Sequence, residues 1–109
     1  MKKFKLNIWK SWKSNNYCYC VQILEQPDDC ESKKEFKSST GFIVVSAANP
    51  EYKPEYKKIF IQGSYKYLNN AVLQIPEEDF SVFMRSLKEF CKHLEWEFDY
   101  EVERDFGNL

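Results

Sequence analysis

Glycine is scarce, 3 in 109 residues, too few and too scattered to build the loop that cradles a phosphate. Histidine occurs once, as His93, and no spacing of Ser, His and Asp supplies a nucleophile with its base. No apolar run approaches the ~20 residues of a membrane span, and the lysine-bearing start lacks the apolar stretch of a secretion signal. The expectation is therefore a soluble cytoplasmic protein without membrane contact, catalytic residues or a cofactor. An excess of one charge is also missing, with 16 basic residues against 17 acidic ones, so the molecule is not a polycation.

The charges are unevenly distributed. Residues 1 to 60 carry 11 Lys and 7 acids, whereas residues 61 to 109 carry 5 basic and 10 acidic residues. Five Lys and no acid fall in the first thirteen positions. Phe 9, Tyr 7 and Trp 3 supply bulk for one core, and the length suits a single domain.

The clearest periodic signal runs from Ala71 to Leu94. Phe80, Phe83, Met84, Leu87, Phe90, Cys91 and Leu94 recur at three-and-four spacing, one stripe of a helix. Pro76 ends the strand before it, and Glu77, Glu78 and Asp79 suit the positive end of a helix over about 77–95. Period-two alternation predicts strands over about 3–12, 17–24, 58–64 and 71–75, and the β-branched and apolar run over about 40–47 predicts a fifth. Gln26 to Ser39 reads as an exposed connection, and the tandem Pro50-Glu51-Tyr52-Lys53, Pro54-Glu55-Tyr56-Lys57 as an extended loop. Residues 96–109 form either an acidic-aromatic final strand or a tail. The expected fold is α+β, an antiparallel sheet of about five or six strands packed on one long C-terminal helix.

One helix leaves the other sheet face to the outward residues of the strands, where lysines alternate with aromatic rings. Cations for phosphates beside rings for unpaired bases are what a single-strand binder needs, stacking being worth ~1–3 kcal/mol per base. The contact candidates are Lys5, Trp9, Lys10, Trp12, Lys58 and Phe60. The same face could instead be plainly solvated or close a homodimer. Strands followed by one covering helix resemble the layout of the PUR and Whirly type single-stranded nucleic-acid binders, and the resemblance implies that function for an α+β fold. The preferred expectation is a small non-enzymatic single-stranded nucleic-acid-binding protein, DNA or RNA.

The alternative is a protein-interaction or inhibitor module, with viral proteins among its candidate types. Its partner-binding residues would be Trp96, Phe98, Tyr100, Glu101, Glu103 and Phe106, because spaced acids can imitate phosphates. This run is similar to the acidic tails of bacterial and phage single-stranded-DNA-binding proteins, although here Gly107, Asn108 and Leu109 follow the aromatic Phe106. Cys18, Cys20, Cys30 and Cys91 are expected as reduced thiols, since the first two sit on one strand face and not in a zinc knuckle. No metal is expected.

Overall fold

The computed structural model describes residues 2–13, 16–27, 34–46, 50–61 and 72–103. Among them eight strands and one helix follow in the order β1 (Lys3–Lys13), β2 (Asn16–Glu25), β3 (Glu35–Lys37), β4 (Ile43–Val45), β5 (Glu51–Lys53), β6 (Lys58–Phe60), β7 (Val72–Pro76), α1 (Phe80–His93) and β8 (Glu97–Val102). Short 3-10 turns at Pro54–Tyr56 and Glu77–Asp79 lead into β6 and α1.

The fold is α+β, but the single antiparallel sheet of five or six strands is replaced by two four-stranded mixed sheets, ordered β7-β2-β1-β8 and β3-β4-β6-β5. The physical reason lies in the connections. β7 runs antiparallel to β2, which is antiparallel to β1, so the β7-α1-β8 crossover returns the chain parallel to β1 at the far edge. The strands at 43–45 and 58–60 are three residues long and pair with each other in parallel, forming a separate sheet. The helix is consequently not the last element, and it stops at His93, with β8 following.

In β1 the period of two places Phe4, Leu6 and Ile8 wholly inside. They meet Val21 and Ile23 of β2, Leu73 and Ile75 of β7, and Phe83, Leu87, Phe90 and Cys91 of α1. The second sheet closes this core with Val44 and Ile59, and Phe36, Phe42 and Tyr52 pack against it. Phe36 explains why a strand forms inside the stretch expected as an exposed connection. Its ring packs against the core, while Glu35 and Lys37 on either side are exposed. The tandem repeat is also more ordered than an extended loop. Its first copy forms edge strand β5 and its second the 3-10 turn, with both prolines outside the ladder.

The end of α1 is an unusual Schellman motif. Glu95 N–H bonds to Lys92 O at 3.1 Å and Trp96 N–H to Cys91 O at 2.8 Å, while Glu95 takes the left-handed φ of 60° normally given to glycine. Trp96 then packs edge-on against Phe90, with centroids 5.6 Å apart. This cap turns the chain from helix into β8. The β3–β4 turn is fastened to α1 by hydroxyls: Thr40 Oγ1 and Ser86 Oγ lie 2.8 Å apart, and Ser86 donates to Val82 O at 2.7 Å. Ser39 Oγ donates to Glu89 Oε2 at 2.9 Å.

Candidate functional site: two basic surfaces and the strand between them

The six residues expected to contact nucleic acid do not form one surface. Lys5 and Trp9 lie on the outer face of β1, away from the core. Lys10 and Trp12, at even positions, lie on the inner side, beyond the end of the core. Lys10 Nζ is 3.1 Å from Glu77 Oε1 and 4.2 Å from the centre of the Tyr17 ring, and Trp12 meets the same ring edge-on at 4.4 Å. Lys58 and Phe60 belong to β6 in the second sheet, both half-buried. Gln62 and Ser64, which period-two alternation over about 58–64 sets on the same strand face as Phe60, lie outside the described residues.

On the outer face of the first sheet, β8 meets β1 charge against charge. The parallel register sets Lys3 beside Glu97, Lys5 beside Asp99 and Asn7 beside Glu101. Lys5 Nζ reaches Glu101 Oε1 at 2.7 Å, Lys3 Nζ reaches Asp99 Oδ2 at 3.5 Å, and Asn7 Nδ2 donates to Glu103 Oε1 at 3.0 Å. The hydrogen bond to Glu101 holds the Lys5 ammonium above its ordinary pKa of 10.5, partly opposed by desolvation and aided by the charges of Glu101, Asp99 and Glu25. Glu25 comes into range because the β1–β2 register shifts between Lys5 and Leu6, leaving Leu24 as the extra residue. The dense lysines of the N-terminus are thus answered by the dense acids of the C-terminal strand.

The residues of the alternative set are also divided. Trp96 is 7% exposed and stacks near Phe4, so it is a core residue. Phe98 is half-buried, Tyr100 is exposed on the same side of β8, and Glu101 and Glu103 point to the opposite face toward Lys5 and Asn7. Phe106 lies outside the described residues.

Phe98 and Tyr100 do line an open groove of about 410 Å³ between β8 and α1, together with Met84, Arg85 and Lys88. Arg85, Lys88 and Lys92 are exposed at intervals of three and four along α1, and no described acid lies within ion-pair distance of them. The groove therefore joins cations without acid partners among the described residues to an apolar floor. The expectations above missed these three residues, although their spacing is a stripe in its own right, displaced from the apolar one. Tyr100 is 49% and Val102 64% exposed, neighbours on one face of an edge strand.

Other polar groups have structural surroundings. Burial, reinforced by the charge of Asp79, pushes the Tyr52 phenol well above its ordinary pKa of 10.0. Cys20 and Cys91 are buried and Cys18 half-buried. Among the described residues no three His, Cys, Asp or Glu side chains are placed to hold a metal ion, and no helix is long and apolar enough to cross a membrane. Comparison with protein-family models, curated proteins and solved structures returns no match.

Proposed function

We propose that this protein is a non-enzymatic protein-interaction module that holds its partner along β8 and the groove between β8 and α1. The observation that carries the reading is the contrast in pairing. Lys3 and Lys5 of β1 are occupied by acids of β8, whereas Arg85 and Lys88 stand without acid partners among the described residues, beside exposed Tyr100 and Met84. Exposed aromatic residues flanked by Arg are the composition of energetically dominant contacts in protein interfaces. The test is site-specific photo-crosslinking with a photoreactive phenylalanine in place of Tyr100, set against the same group in place of Lys57. Crosslinks to protein from position 100 that vanish in the Arg85→Glu, Lys88→Glu variant support the reading. Equal crosslinking from both positions contradicts it.

A second reading has its own support. Arg85 and Lys88 beside Tyr100, with Lys92 exposed further along α1, also meet the requirement of a short single strand, phosphates on the cations and a base on the ring. A titration with oligothymidylate at two salt concentrations, followed by tryptophan fluorescence, tests it. Salt-sensitive binding lost in the Arg85→Glu, Lys88→Glu variant favours nucleic acid; no binding at low salt rejects it.

A further inference from the structure

We infer that the partner is an extended peptide segment that adds as a fifth strand to the open edge of β8, presenting acidic and aromatic side chains toward α1 and basic ones to the opposite face. This deepens the interaction-module reading and rests on it. β8 ends its sheet, with β1 on one side and no described strand on the other. Glu97 donates its N–H to Lys2 O at 2.7 Å and Glu103 to Ile8 O at 2.8 Å, so the odd-numbered residues spend their backbone groups on β1. In a parallel ladder the intervening residues point the other way, which turns the amides and carbonyls of Phe98, Tyr100 and Val102 to the edge. The side chains of Phe98 and Tyr100 line the groove, and that of Val102 lies on the same strand face.

Charge differs between the two faces of this edge. On the α1 side stand Arg85 and Lys88. On the other side stand Glu97, Asp99 and Glu101, of which the Asp99 and Glu101 side chains keep 47% and 60% exposure despite their lysine partners. An added strand alternates its side chains between these environments, so complementarity requires acids and rings on one parity and lysines or arginines on the other. A second copy of β8 does not satisfy this, because it sets acids against acids across the new pair. Asp99 also guards the edge. Its Oδ1 accepts the Tyr100 N–H at 2.9 Å, so a docking strand must take over that amide.

The experiment uses the full chain and a fluorescein-labelled octapeptide with lysine at its odd positions and phenylalanine alternating with glutamate at its even ones. Anisotropy should show saturable binding, weakened roughly tenfold or more by the Arg85→Glu, Lys88→Glu variant, by methylation of alternate peptide nitrogens, and in a scrambled peptide that breaks the alternation. Hydrogen exchange by NMR should show the amides of Phe98, Tyr100 and Val102 slowed about tenfold or more by the peptide, with those of Asp99 and Glu101 little changed. Binding without that alternate protection, or insensitive to nitrogen methylation, overturns strand addition and leaves the interaction module standing. Absence of saturable binding, or equal binding of the scrambled peptide, also overturns the inference, while the crosslinks from position 100 judge the broader reading separately.

Discussion

Two parts of this molecule are rich in cations, the outer face of β1 and the outer face of α1, and only one of them is open. Lys3 and Lys5 are the denser pair in sequence, yet β8 lies against them with Asp99 and Glu101 in ion-pair range. Arg85, Lys88 and Lys92 are sparser, yet Glu89, the acid that shares their helix, is directed elsewhere, to Ser39. Charge along a chain is therefore a poor guide to charge offered to a partner. What decides is which strand the fold sets alongside.

Because β8 creates the difference, deleting it is the harshest way to break the comparison. A chain ending before Glu95 loses the helix cap, buried Trp96 and the Phe98 ring stacked on Phe4 at 6.3 Å. It should not fold, and circular dichroism should show the loss of cooperative thermal unfolding. A chain that melts with the wild-type midpoint would demote β8 to an accessory.

Leu87→Ala comes next. It removes a 1% exposed side chain from beneath the exposed cations of α1 and should cost about 2–5 kcal/mol by denaturant unfolding. A loss under about half a kcal/mol would mean that α1 presents its stripe without being anchored by it.

Alkaline pH should then separate a buried proton from an exposed one. The folded pKa of Tyr52 lies above its unfolded value, so its contribution is complete below pH 10.0 and is lost as pH climbs toward the folded value. Tyr52→Phe should flatten the decline in stability above pH 10.0, which denaturation at stepped pH measures. An unchanged decline would show that the phenol is not what resists ionisation.

The smallest effect should be a gain. Glu95→Gly relieves a left-handed residue at the helix end and should add about 0.5–1 kcal/mol, since L-residues pay for that conformation and glycine does not. A destabilisation of that size would show that the Glu95 side chain contributes more than its backbone costs.

Much of the architecture was readable from the chain. The apolar stripe of α1, the inward triplet Phe4, Leu6 and Ile8, and the helix start after Pro76 follow from periodicity and from proline chemistry, both of which are local. The division into two sheets was not legible, because three-residue strands such as Ile43–Val45 and Lys58–Phe60 carry too little pattern to name their neighbours. The same limit governs the site. Alternation told which way Lys5 points but not that Asp99 would stand beside it, a pairing between residues 94 positions apart that only the crossover helix brings about. Arg85 and Lys88 were visible as helix positions, and their value emerged only once the acids elsewhere had found partners.

The central claim is that the available positive charge belongs to α1 and not to β1. It is tested most directly by two variants that each remove a single positive charge, Arg85→Gln and Lys5→Gln, assayed by anisotropy with a labelled hepta-glutamate peptide at low salt. The account predicts that Arg85→Gln weakens binding about threefold or more, while Lys5→Gln changes it little because Glu101 already occupies that ammonium. Equal losses from the two variants, or the larger loss from Lys5→Gln, would contradict it.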